Sequence, residues 1–238
     1  MEEKIKTIVS GYLKMPAASI TADTLVDRSV VSNSIVLHRM YAKLAEEGVR
    51  IENYIDIKNF GELMSRANGN AAISPVHVPI PYANGIEKKG GSAGIDIEEV
   101  AALPRTNDFR EEEFYKMNFA PSEIAYCILQ PDPYVSFAGL FAAKEAIVKA
   151  DNSFRSRPFH TIVITHEAEG KPAFGDFSLS VSHTNNLAVA VAVRAVALQA
   201  PGRPVDEAPA ATASRVPWGL WLLCMLLATA ALIFAFIN

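Results

Sequence analysis

Three regimes of hydrophobic patterning divide the chain. In residues 1–68, apolar side chains recur every three or four positions. Ile5, Ile8, Val9 and Leu13 form one such set, and Ile35, Leu37, Met40, Tyr41 and Leu44 a second. Leu63 and Met64 follow Phe60 as a third. This period predicts three helices, the second over 34–47 with Ser34 as a candidate N-cap. Residues 91–198 mix strand-like and helical runs. GIDIEEV at 94–100 reads as a strand. Helices are expected over 121–127, with Pro121 in the first turn, and over 135–150. TIVITHEAEGKPAF from Thr161 reads as strand, turn, strand. LSVSHTNNLAVAVAVRAVAL from Leu179 reads as two β-rich runs around Asn185 and Asn186. The fold class expected is therefore α+β, preceded by a small helical bundle. Segments 69–90 and 199–215, rich in proline with glycine or alanine, read as linkers.

The third regime is the tail, 216–238, which carries no charge. Twenty residues from Trp218 to Ile237 are almost all apolar, and at about 1.5 Å each they match a bilayer core of about 30 Å. Tryptophans at the start suit the interface, and Arg203 and Arg215 precede the segment with no basic residue after it. A single-pass membrane anchor is expected, with the soluble domains facing the cytoplasm. The N-terminus alternates charged and apolar residues, unlike a secretory leader. A net charge of −4 over 238 residues, without a basic stripe, predicts no nucleic-acid partner. Cys127 and Cys224 have no metal-site or disulfide spacing.

The candidate chemistry lies between the linkers. Asp96 sits on the short apolar strand, so its carboxylate would be rigidly held. Glu145 and Lys149, spaced i, i+4, share a helix face, and Lys144 is turned about 100° from Glu145. Carboxylates on two elements beside lysines suit a hard cation on phosphate oxygens. The same spacing also fits an ordinary solvated helix pair.

Longer strings narrow the choice. GIDIEEV at 94–100, FAPSEIAYC at 119–127, FAGLFAAKEAIVKA at 137–150, GKP at 170–172 and LSVSHT at 179–184 stand in order within residues 91–198. Together they resemble the holo-acyl-carrier-protein synthase type of 4'-phosphopantetheinyl transferase. The resemblance implies transfer of the phosphopantetheine arm of coenzyme A to a serine of an acyl carrier protein, with fatty acid biosynthesis among its settings. Adenosine 3',5'-bisphosphate would be released. Asp96 and Glu145 would bind Mg2+, and with Lys149 would form the catalytic set. Lys149, Lys144, Lys171 and His183 would contact coenzyme A, with His183 near the nucleotide unless it is simply a turn residue. The proton acceptor is open between a metal-bound water and Glu145. The family is commonly trimeric, which implies a homotrimer. Two departures stand out. Leu140 replaces a usual arginine, and the loop ADNSFRSRPF from Ala150 lacks the usual glycine, leaving Arg155 and Arg157 as replacement phosphate contacts.

Residues 1–68 resemble an acyl carrier protein. NSIVLHRMYAKLAEEGVRI from Asn33 puts Ser34 where such proteins carry their covalent 4'-phosphopantetheine, although Asn33 replaces the usual aspartate. Nine basic and nine acidic residues leave this region uncharged overall, so tethering would replace charge attraction. Ser34 is thus a candidate attachment site or an N-cap. The alternative to an enzyme is a catalytically degenerate, membrane-anchored scaffold that presents the carrier-like domain.

Overall fold

The helical period of the first region forms α1 (Glu2–Leu13), α2 (Ser34–Glu46) and α3 (Phe60–Ala67). The computed structural model describes residues 1–31, 33–69 and 91–194. Most of the first expected linker, the second linker and the apolar tail over 216–238 lie outside these residues. No helix among the described residues is long and apolar enough to cross a membrane.

α2 differs from its expected start in one respect. Asn33, not Ser34, is the N-cap, and its Oδ1 accepts from the Val36 amide at 3.2 Å. Ser34 becomes the first helical residue, so its hydroxyl is not needed to close the helix. α2 is also apolar on more than one face. Leu37, Met40, Tyr41 and Leu44 pack with Ile5, Val9, Phe60 and Leu63 in the helical bundle. Ile35 and Ala42 belong instead to the core of the following region.

That region opens with β1 (Ser92–Glu99), followed by α4 (Glu113–Asn118), α5 (Pro121–Ile128) and α6 (Pro133–Ala150). β2 (Thr165–His166), β3 (Pro172–Phe174), β4 (Phe177–His183) and β5 (Leu187–Arg194) complete an antiparallel sheet ordered β1-β5-β4-β3-β2. The long helix starts two residues earlier than its apolar pattern suggests. Asp132 caps it by accepting from the Tyr134 and Val135 amides, and Pro133 fits a first turn that needs no amide donor.

α6 lies on one face of the sheet because that face is built from small residues. Ala188, Ala190 and Ala192 of β5 are buried there, and Gly94 of β1 meets the helix backbone itself. A Cβ on Gly94 would stand 2.0 Å from the Ala146 carbonyl oxygen. The opposite face has no covering layer among the described residues. Ile95, Ile97, Leu187 and Val193 are exposed on it.

Candidate active site

Strand alternation decides which β1 side chains meet α6. Residues 94, 96 and 98 are buried, while Ile95 and Ile97 face the other way. Gly94 lets the strand and helix backbones touch, which brings Asp96 against the last turns of α6. There Lys149 Nζ donates to Asp96 Oδ1 at 2.5 Å and to the Ile95 carbonyl at 3.1 Å. Lys149 therefore bridges helix to strand. Glu145 takes a different cation, accepting from Arg28 Nη1 at 2.8 Å. Glu98 is the third acid, and its Oε1 accepts from the Ser34 hydroxyl.

The three carboxylates are only 6 %, 1 % and 3 % exposed at Asp96, Glu98 and Glu145, and two cations face them. Asp96 Oδ2 and Glu98 Oε2 are buried without a hydrogen-bond partner. Burial pushes the Asp96 carboxyl up; the Lys149 hydrogen bond opposes this, and Glu145 adds to it. Burial likewise pushes Glu98 up to about 8, against its bond from Ser34 and reinforced by Asp96 and Glu145. A buried acid without full compensation holds its proton unless positive charge arrives. Three carboxylates thus face two cations, Lys149 and Arg28.

The donor chemistry fits a hard divalent ion, which takes carboxylate oxygens. Asp96 and Glu98 each offer an unused oxygen. Among the described residues no three His, Cys, Asp or Glu side chains are grouped so as to hold a metal ion, so at most two of these acids would share a cation as they stand. Arg28 stands on Glu145 in that place.

The remaining expected residues separate clearly. Lys144 does not reach this site, contrary to its expected contact with phosphate. Its side chain is fully enclosed. The ammonium donates to Glu123 Oε2 at 2.6 Å, the Asn118 carbonyl at 2.8 Å and the Phe159 carbonyl at 2.9 Å. All three of its protons have protein acceptors, so none is left for a ligand. Lys171 is exposed in the β2–β3 turn, at the sheet edge opposite β1. At about 4.8 Å per strand, that edge lies roughly 14–19 Å from Asp96.

His183 is exposed at the end of β4. It pairs with Ala188, which pairs with Glu98, so all three stand in one row across the sheet. Their side chains share a face, with His183 about 10 Å from Glu98 at two strand spacings. Leu140 is buried in the core. Arg155 pairs with Asp56 at 3.2 Å, and Arg157 lies over the Phe154 ring.

Glu98 and Arg28 escaped the sequence reading. The period of two that buries Asp96 also buries Glu98, so that signal was present. Arg28 and Glu145 are 117 residues apart, and no local pattern links them.

Comparison with known proteins agrees with the sheet-and-helix region. Residues 92–192 match the family model of the 4'-phosphopantetheinyl transferase superfamily. The holo-[acyl-carrier-protein] synthase of Chlorobaculum tepidum is 36% identical over 110 residues, which is 42% of this chain and 94% of that protein. The Moorella thermoacetica enzyme of the same name is 35% identical over 117 residues, 42% of this chain and 91% of its own length. Among solved structures, the holo-[acyl-carrier-protein] synthase of Neisseria meningitidis is 28% identical, covering 43% of this chain and 95% of that one, with a TM-score of 0.37. With nearly the whole length of such synthases matched at this identity, and with Asp96, Glu145 and Lys149 converging inside the matched segment, the chain belongs to the 4'-phosphopantetheinyl transferase superfamily.

Proposed function

We propose that this chain is a holo-[acyl-carrier-protein] synthase. It moves the 4'-phosphopantetheine arm of coenzyme A to a carrier-protein serine and releases adenosine 3',5'-bisphosphate. The observation that carries this reading is the meeting of Asp96, Glu98 and Glu145 with Lys149 across β1 and α6, within the family-matched segment. The serine oxygen forms a bond to the pantetheine-side phosphorus, and the bond from that phosphorus to the nucleotide-side phosphate oxygen breaks. The serine proton passes to a base, and carboxylates are within reach.

Asp96 and Glu145, carboxylates from β1 and α6, are the residues that would hold Mg2+ once Arg28 leaves Glu145. Bound there, the ion would neutralise charge on the pyrophosphate. Lys149 is half-exposed beside them and can present its ammonium to a phosphate without leaving the cluster. His183 faces the open end of the same sheet face, which supports a contact with the nucleotide half. A scaffold without catalysis accounts poorly for the cluster, because burying carboxylates that serve no ligand is costly.

Three further features belong to this reading. The helical bundle of α1–α3 supports a carrier-like role for the first region. The exposed apolar sheet face at Ile95, Ile97, Leu187 and Val193 supports association of several copies, as in a homotrimer. The uncharged tail over 216–238 supports attachment to the cytoplasmic side of a membrane. The test is incubation of the full chain with coenzyme A, Mg2+ and a separate apo-acyl carrier protein. Intact-mass spectrometry should show one phosphopantetheine group on the carrier. A carrier and a chain that both stay unmodified would overturn the assignment.

A further inference from the structure

The acid cluster is entered by a segment that the family match does not cover. Arg28 and Ser34 both come from the first region. One bonds Glu145 and the other bonds Glu98. Ser34 is 4 % exposed, so its hydroxyl points into the protein and not to solvent. The Asn33 cap leaves that hydroxyl free of any duty to the helix.

Several contacts hold α2 in this position. Ile35 and Ala42 sit in the sheet-side core. His38 Nδ1 lies 2.5 Å from Asn118 Oδ1, and Arg39 Nη1 donates to the Ala102 carbonyl at 2.8 Å. Arg50 pairs with Glu113, and Asp56 with Arg155. Buried apolar contacts and paired charges together fix Ser34 against Glu98, beside the unpartnered oxygens of Asp96 and Glu98.

We propose that Ser34 is an acceptor in its own right, and that the chain transfers the phosphopantetheine arm of coenzyme A to the Ser34 hydroxyl of the same molecule. This rests on the transferase reading above. The Ser34 Oγ–phosphorus bond forms as the phosphorus–oxygen bond to the nucleotide breaks. The serine proton passes to solvent, and adenosine 3',5'-bisphosphate leaves. The Ser34 hydroxyl already lies inside the acid cluster, bonded to Glu98, which is the placement that attack on a phosphate held there needs. Arg28 is a displaceable counter-charge: its side chain is 43 % exposed and makes one bond to Glu145. It can swing into solvent when phosphate and cation enter. Holding acceptor and catalytic acids in one chain makes the reaction unimolecular in protein.

The experiment uses the full chain with coenzyme A and Mg2+ and no other protein. Intact mass should rise by one phosphopantetheine group per chain, and peptide mapping should place it on Ser34. The rate constant should stay constant over about a hundredfold dilution of protein, as a unimolecular step requires. A Glu145→Gln chain, which keeps Ser34, should remain unmodified when mixed with wild type. Modification of that chain at the wild-type rate would overturn transfer within one molecule. A parallel reaction supplies a separate apo-acyl carrier protein. If that carrier is loaded while Ser34 stays bare, self-acceptance is refuted and Ser34 only fills the site. If neither is loaded, the transferase reading itself fails.

Discussion

Gly94 offers the sharpest test of how the site is assembled. A methyl group added there would meet the Ala146 carbonyl oxygen at 2.0 Å and the Ala150 amide nitrogen at 2.7 Å. Ordinary contact begins near 3.4 Å, so α6 and β1 must part by more than 1 Å. Both clashing atoms are helix backbone, and no side chain can turn aside. Overpacking of this kind costs about 3 kcal/mol or more. For a chain of this size, about 3 kcal/mol lowers Tm by roughly 6–12 °C. The same displacement separates Asp96 on β1 from Glu145 and Lys149 on α6, and a misplacement of about 1 Å costs on the order of a hundredfold in rate. Gly139→Ala is the internal comparison. Its Cβ would meet only Val181 Cγ1, at 3.0 Å, and replacing a helical glycine by alanine returns about 1 kcal/mol of helix propensity. Thermal melts and holo-carrier formation should show Gly94→Ala crippled and Gly139→Ala near wild type. Equal behaviour of the two variants would refute the close helix–strand contact as the feature that aligns the acids.

Arg28→Gln should tighten Mn2+ binding about five- to tenfold, equivalent to about 1–1.4 kcal/mol, because the guanidinium no longer competes for Glu145; paramagnetic resonance of free Mn2+ reads this, and unchanged or weaker binding contradicts the competition. Burial pushes Glu98 up to about 8 in the folded protein, well above the ordinary glutamate range, so the folded state binds the extra proton. Stability therefore falls as pH rises from about 4.5 to 8. In chelator, Glu98→Gln should flatten the decline in Tm between pH 5 and 8, and an unaltered decline would show that Glu98 is not its source. Lys144→Met should cost about 3–5 kcal/mol by leaving Glu123 charged and buried, measured by urea unfolding. A stable variant with a raised KM for coenzyme A would instead restore Lys144 as a phosphate contact.

The parts of the site that follow from chain periodicity were legible in the sequence. A period of two puts Asp96 on the inner face of β1, and the i, i+4 spacing puts Glu145 and Lys149 on one side of α6. The alternative of an ordinary Glu145–Lys149 helix pair does not form, since Lys149 crosses to Asp96 and Glu145 bonds Arg28. Glu98 is set by the same alternation as Asp96, but in the EE dipeptide it reads as an ordinary polar strand end. Lys144 could not be placed from its neighbour, because burial depends on Glu123 of α5 and the carbonyls of Asn118 and Phe159, none of which is local. Ser34 shows the limit most clearly. Its position at the start of α2 is local and was expected to within one residue. Its burial against Glu98 depends on docking of the whole bundle through Ile35, Ala42 and His38.

The proposed role of Asp96, Glu98 and Glu145 is transfer of phosphopantetheine from coenzyme A. Its most direct test is the adenosine 3',5'-bisphosphate released by wild type and by Glu145→Gln, measured beside the phosphopantetheine gained by a separate carrier protein. One bisphosphate is expected for each serine loaded, with a loss of both products by about a hundredfold or more in the variant. Absence of bisphosphate with wild type, or full activity without Glu145, would contradict it.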